Sequence, residues 1–319
     1  MKIAFRHIPF SAEECAHLEE LARQAGLEPV WYLNGEMPKA EDLQDCEVLM
    51  GYFPPAMLKD LPALKWVQTP AAGVDRLCGD LYANDDVVLT NCSGAFGVAI
   101  AEYMMTGLLM LMRLMPAYME NQKQSIWKCM GLCRAVYGST ITVVGMGDIG
   151  SRFAHIAKAM GATVRGVRRT LGEKPADFDE VYTSDNLAEA VKGADAVVMS
   201  LPSTPLTKGM VSREVIAAMS PNAIVVNCGR GVTLDEEALI EALQEGRIAG
   251  AVLDVTTVEP LDPASPLWKM ENVIVTPHIS GHDDDPVNYQ FMYKIMCDNL
   301  TRYAAGQPLT HVVDRTRGY

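Results

Sequence analysis

Positive charge is scarce in this chain, with 27 Lys and Arg against 40 Asp and Glu and a formal net charge of −13. That balance argues against general nucleic-acid binding, which favours basic surfaces. Paired cysteines are missing too. The eight cysteines are scattered without a C-x-x-C, and Cys129 and Cys133 have no second ligand pair at zinc spacing. No metal site is expected, and reduced thiols in a cytoplasmic protein are the plainer reading. No apolar run is long enough to span a bilayer: the most membrane-like stretch, Val98 to Met119, contains Glu102 and Arg113. Met1–His7 meets charge too early for a signal peptide. Repeats and low-complexity tracts are absent, so a soluble protein with no membrane partner is expected.

What is present is apolar substance in alternating blocks. Of the 319 residues, 49% are hydrophobic, enough for two cores of ordinary domain size. In the first hundred residues, Lys2–Arg6, Glu47–Met50, Lys65–Gln68 and Val87–Thr90 read as strands. Ser11–Ala25 reads as a helix, with Ser11 as N-cap and Glu14 completing a capping box. Pro54-Pro55 and Asp75–Leu81 open shorter helices, and Val98–Met119 reads as one long helix, buried between domains or at a subunit contact. A second series then offers strands at Thr140–Val144, Thr163–Val167, Ala196–Ser200, Ala223–Asn227, Ala249–Asp254 and Val273–Thr276. Each is a short apolar run that needs cover on both faces, as in a parallel sheet. Asp235–Glu245 reads as a helix stopped by Gly246, and Pro286–Ala305 as a last helix after the turn-like Gly281-His282-Asp283-Asp284-Asp285. The alternation predicts an α/β protein of doubly wound parallel sheets. Residues 97–284 are expected to form one domain, and residues 1–96 with 285–319 a second, discontinuous one.

Between the β-branched run Thr140–Val144 and a helical pattern carrying Phe153, Ile156, Ala157 and Met160 lies Gly145-Met146-Gly147-Asp148-Ile149-Gly150. This strand–glycine turn–helix joint is the dinucleotide-binding fingerprint. Its glycines allow the tight turn, the approach of a pyrophosphate and close helix–strand packing, and the helix start offers N–H groups to the phosphates. After the next strand an acid would hydrogen-bond the ribose 2′-OH of NAD. Here Arg168 stands in that place with Arg169 and Thr170 beside it. Two permanently charged guanidinium forks and a hydroxyl suit a phosphate dianion, so NADP is favoured over NAD.

Three further segments end predicted strands, where an open α/β sheet places its ligands. They are Asn227-Cys228-Gly229-Arg230-Gly231, Asp254-Val255-Thr256-Thr257-Val258-Glu259-Pro260 and Thr276-Pro277-His278-Ile279-Ser280-Gly281. With these the chain resembles the D-isomer-specific 2-hydroxyacid dehydrogenase family. The resemblance extends through Ala71-Ala72-Gly73-Val74-Asp75, Ala101-Glu102, Leu201-Pro202 with Thr204 and Thr207, Pro266-Leu267-Trp268, Asn299-Leu300 and the closing Val313-Asp314 and Gly318-Tyr319. The spacings of 29 residues from Arg230 to Glu259 and 19 from Glu259 to His278 suit it. Arg168, Arg169 and the segment Tyr52-Phe53-Pro54-Pro55 are nearest the glyoxylate/hydroxypyruvate reductase branch.

The resemblance implies a Rossmann dinucleotide-binding domain, a flavodoxin-like substrate domain and an active-site cleft between them. It implies cofactor contacts from the glycine loop, Leu201, Pro202, Thr207, Cys228, Gly229, Asp254 and Gly281, with Asp254 at the nicotinamide amide. Backbone N–H groups of Ala72, Gly73 and Val74 would take the substrate carboxylate, and Tyr52 would line the substrate end. Reduction of a 2-keto acid needs hydride at the carbonyl carbon and a proton at its oxygen. Histidine, with an ordinary pKa near 6.5, suits the donor, and His278 is the candidate. Glu259 is the carboxylate that would orient its ring, and Arg230 would polarise the carbonyl and grip the carboxylate. Thr256 departs from the aromatic residue frequent there in the family, which bears on substrate size. The family also implies a homodimer packed around residues 98–119. His7, His17, His155 and His311 read as structural, His282 as a loop residue, and the methionines of 104–115 as a packing surface. Two rival readings are a non-catalytic dinucleotide sensor on the same fold and an NAD-dependent formate or phosphite dehydrogenase.

Overall fold

The computed structural model describes residues 1–33, 35–282 and 285–318. The chain divides into two compact units, Met1–Phe96 with His282–Tyr319, and Gly97–Gly281.

Unit 1 opens with β1 (Lys2–Arg6), α1 (Ala12–Gln24), β2 (Glu28–Tyr32), β3 (Cys46–Gly51), β4 (Trp66–Gln68) and β5 (Val88–Thr90). All pairings are parallel, in the order β2-β1-β3-β4-β5, the doubly wound flavodoxin-like order. Ser11 caps α1 as expected: its Oγ accepts the Glu14 N–H at 3.3 Å, and the Glu14 carboxylate accepts the Ser11 N–H at 2.9 Å. Pro55–Asp60 winds into a short 3-10 segment behind Pro54. Asp75–Leu81, expected as a helix, is a turn instead. Leu77 N–H reaches back to Val74 O at 2.8 Å, and Gly79 at φ 95° then breaks the helical path. The chain end closes the sheet at β5, where Val313 N–H donates to Leu89 O at 2.9 Å and Asn91 N–H to His311 O at 3.2 Å.

Unit 2 runs α2 (Gly97–Met112), α3 (Met115–Lys123), β6 (Thr140–Val144), α4 (Asp148–Ala159), β7 (Thr163–Arg168), β8 (Glu180–Thr183), α5 (Leu187–Ala190), β9 (Ala196–Met199), α6 (Arg213–Ala217), β10 (Ile224–Asn227), α7 (Glu236–Gln244), β11 (Gly250–Leu253) and β12 (Val273–Val275). Its seven parallel strands lie in the order β12-β11-β10-β9-β6-β7-β8. The order reverses between β6 and β9, which puts a topological switch point beside the glycine turn. The interior strands are buried along their length, with Ile141, Val143, Val198, Val225 and Val252 at the centre of the core.

The single helix expected over Val98–Met119 is two helices, α2 and α3, bent by 68°. Pro116 has no N–H for the carbonyl of Met112, and Arg134 N–H takes that acceptor instead at 2.9 Å. Leu114 turns the corner at φ 56°. Met104, Met105 and Met112 pack in the core, whereas Met115 and Met119 beyond the break are exposed. Among the described residues no single helix is long and apolar enough to cross a membrane. The chain finally returns to unit 1 as α8 (Pro286–Ala304), which packs on α1. Of the turn expected before it, Asp283 and Asp284 lie outside the described residues.

Candidate active site

The glycine turn leaves β6 with Gly145 at φ 102°, its N–H bonded to Val167 O at 3.0 Å. Gly150 faces back on this turn. A Cβ there would lie 1.9 Å from Gly145 O and 3.0 Å from Val143 Cγ1, so helix and strand meet only because the side chain is missing. Gly147 is the opposite case, with no atom within 4 Å of where its Cβ would stand. It caps α4, whose first backward hydrogen bond runs from Ser151 N–H to Gly147 O at 2.9 Å. Earlier N–H groups are those a helix start leaves uncommitted. An open glycine before such groups fits the pyrophosphate of a dinucleotide. Asp148 pairs with Arg152 at 2.8 Å, Ile149 is half-buried, and the Met146 side chain packs over Gly166 of β7.

Two neighbouring strand ends close on this turn. A Cβ on Gly145 would stand 3.2 Å from Leu201 Cδ2, and one on Gly229 would stand 2.6 Å from the Leu201 backbone. Thr207 Oγ1 donates to Pro202 O at 2.6 Å and folds the loop after β9 on itself. Cys228 is buried beside Asp254 and Ser280; burial chiefly, with the Asp254 charge, drives its thiol far above the usual range. At the end of β7, Arg168 donates to Glu173 O at 2.8 Å, and its buried Nε has no hydrogen-bond partner. Arg169 and Thr170 follow in an exposed bend.

Glu259 and His278 meet. His278 Nδ1 lies 2.9 Å from Glu259 Oε2, and because a carboxylate only accepts, Nδ1 is the donor. The side chains remain 46% and 39% exposed, so the pair is open to a ligand. His278 sits at φ 54°, and Asp254 holds that unusual backbone in place. The Asp254 carboxylate is buried and accepts Thr276 Oγ1–H at 2.6 Å and the N–H groups of Ile279 and Ser280 at 2.9 Å each, while its carbonyl accepts His278 N–H at 2.8 Å. Tyr103 of α2 hydrogen-bonds Thr276 in turn. Arg230 follows β10 half-buried, with Nη1 on Gly229 O at 2.9 Å. Its carbonyl accepts Thr233 Oγ1–H at 2.7 Å, fixing the corner. No sequence motif marks the part played by Tyr103 and Thr276, because each acts through a hydrogen bond to a residue distant along the chain.

In unit 1, the expected substrate residues follow strand ends. Tyr52 succeeds β3 beside the His7 ring, with centroids 5.8 Å apart. Ala72-Gly73-Val74 follows β4, its Ala72 carbonyl held by Asn91 Nδ2 at 2.7 Å, with Gly73 exposed and Val74 buried. Gly281 is the last residue of unit 2. Among the histidines read as structural, His155 pairs with Asp177 at 3.2 Å and His17 bonds the Tyr293 hydroxyl at 2.6 Å. Among the described residues no cluster of metal ligands occurs.

Comparison with known proteins gives the chain a family. Residues 105–280 match the family described as D-isomer specific 2-hydroxyacid dehydrogenase, NAD binding domain. The glyoxylate reductase of Korarchaeum cryptofilum is 30% identical over 287 residues, covering 86% of this chain and 85% of that protein. The D-3-phosphoglycerate dehydrogenase of Methanocaldococcus jannaschii is 34% identical over 75% of this chain, yet the chain spans only 46% of that relative. Among solved structures, the NADPH-dependent glyoxylate/hydroxypyruvate reductase of Sinorhizobium meliloti, in complex with NADP and sulfate, superimposes with a TM-score of 0.80 at 27% identity, covering 100% of both chains. The chain belongs to the D-isomer-specific 2-hydroxyacid dehydrogenase family.

Proposed function

We propose that this chain reduces small 2-keto acids of the glyoxylate or hydroxypyruvate kind to D-2-hydroxy acids, preferring NADPH. The observation that carries the reading is the solvent-open Glu259–His278 pair at 2.9 Å on strand-end loops of the fingerprint unit. With Nδ1–H committed to Glu259, the ring presents Nε2 as the proton donor to a carbonyl oxygen. Arg230 grips the substrate by charge-assisted bonds and polarises its carbonyl. The N–H groups of Ala72, Gly73 and Val74 take the carboxylate in this reading, and Tyr52 lines the substrate end. The glycine turn, Leu201, Pro202, Thr207, Cys228, Gly229, Asp254 and Gly281 would hold the dinucleotide. The chemistry supplied by a bound reduced nicotinamide is hydride for the carbonyl carbon.

NADPH preference rests on Arg168, whose buried Nε lacks a partner, with Arg169 and Thr170 beside it. A 2′-phosphate supplies the acceptor that this guanidinium wants. The Sinorhizobium meliloti relative, described as NADPH-dependent, supports the same preference. A homodimer built on the exposed apolar residues Met115, Met119, Ile126, Trp127 and Leu132 accompanies the proposal.

The test follows nicotinamide absorbance with NADPH and NADH in parallel against glyoxylate, hydroxypyruvate, pyruvate and bulkier 2-keto acids. NADPH with the two small acids should give the highest kcat/KM. A clear win for NADH would sink the role given to Arg168 and Arg169. Absence of turnover with every 2-keto acid would sink the reductase reading.

A further inference from the structure

The turn that carries Glu259 has little to hold it in place. After buried Thr256, residues 257–260 are exposed, and Val258 at its apex is 67% exposed. Burial therefore does not fix where the Glu259 carboxylate points. We propose that Glu236, at the start of α7, is a positioning residue that aims Glu259 at His278; this rests on the catalytic reading of that pair.

Thr257 N–H donates to Glu236 Oε2 at 2.8 Å. The next bonds lie within the turn: Thr256 N–H reaches Glu259 Oε1 at 3.2 Å, and Thr256 Oγ1–H reaches Val258 O at 2.9 Å. The Glu236 carboxylate thus ties the exposed turn, at Thr257, to a regular element. A negative side chain is favoured in the first turn of a helix, where Glu236 stands. From the opposite side Gly231 presses the same peptide. A Cβ on Gly231 would fall 2.0 Å from Thr256 C and O and 2.5 Å from Thr257 N. The segment 231–236 that follows Arg230 therefore templates the Glu259 turn twice, by an absent methyl and by a carboxylate. Release of Thr257 frees the turn to drift, and a displacement of about 1 Å at a catalytic group lowers the rate by up to roughly 10²-fold.

The experiment compares E236A and E236Q in the full-length protein. Gln keeps an oxygen that accepts Thr257 N–H, whereas both variants lose the charge at the helix start. E236A should lower kcat roughly tenfold or more while KM and the Kd for NADPH hold, and E236Q should restore kcat to within about threefold. Nitrogen-15 NMR of the His278 ring supplies a second readout that needs no turnover. The Nδ1–H signal bonded to Glu259 should weaken or shift in E236A and return in E236Q. An E236A protein with wild-type kcat and an unchanged ring signal overturns the proposal, and so does equal loss in E236A and E236Q. H278A separates this outcome from failure of the reductase reading. If H278A keeps its rate, the catalytic assignment falls, and the ring signal in E236A still decides the role of Glu236 in holding the pair.

Discussion

Positions 147 and 150 are both glycine, and what a methyl group would meet there is opposite. At Gly150 it strikes backbone, 1.9 Å from Gly145 O; at Gly147 it enters open space. G150A should therefore destabilise the fold by about 1–3 kcal/mol, as overpacking does. G147A should leave stability within about 0.5 kcal/mol and weaken dinucleotide binding roughly tenfold, about 1.4 kcal/mol. Urea denaturation and NADPH fluorescence titration on both variants check the pair; equal stability losses would refute the contrast. H278A should cost about 10²–10⁴ in kcat, the range of general acid catalysis. At this scale the candidate site was legible where residues end a strand in a recognisable motif, as with Gly145–Gly150 and with Glu259 and His278, which the fold brings to 2.9 Å. The sequence was silent on Glu236, Tyr103 and Thr276. Their contributions are hydrogen bonds to residues 21, 173 and 22 positions away along the chain, and no local pattern encodes such pairings.

Helix α2 lies against the sheet at Gly107, where a Cβ would come within 2.6 Å of Val252 Cγ1 on β11. G107A should cost about 1–3 kcal/mol, measurable by urea denaturation. The same helix delivers Tyr103 to the Asp254 network. Burial above all, with the Asp254 charge adding, pushes its phenol up to about 12, against the opposing pull of the Thr276 hydrogen bond. A tyrosine whose folded pKa is raised binds its proton more tightly in the native state, so its stability contribution is full below pH 10. That contribution falls away as pH rises from about 10 towards 12. Urea melts at pH 8 and pH 11 should show a smaller alkaline loss for Y103F than for wild type; equal losses would remove Tyr103 from this account. Elements buried on both faces, such as β6, β9 and β10, were readable as apolar runs. Strands β2 and β8 were not. They are the outer strands of their sheets, half-exposed, and β2 carries Pro29, so no apolar run marks them, although Val30-Trp31-Tyr32 and Val181-Tyr182-Thr183 are good strand formers. The break between α2 and α3 had a written signal in Pro116, masked by the apolar continuity around it.

Two separate sheets mean two separate cores, and a ligand of one should register there first. NADPH at about 100 times its Kd stabilises the state that binds it by about 2.7 kcal/mol. Hydrogen exchange followed by mass spectrometry should find the largest gain in protection in β6, α4 and β9; a maximum in β1 to β3 would contradict the placement of the cofactor. Unit 1 also has an unusual construction: β5 is completed by Leu89–Val313 and Asn91–His311 hydrogen bonds, and α1 is covered by α8. Unit 2 is continuous from Gly97 to Gly281. Domains generally fold as units while the ribosome delivers them, the earlier one first. Here that order is inverted. Everything unit 2 needs has emerged by Gly281, while the strands of unit 1, made first, wait with an unfinished edge for partners synthesised more than two hundred residues later. The unit that holds the first strands is thus completed only by residues that follow the whole of the other unit.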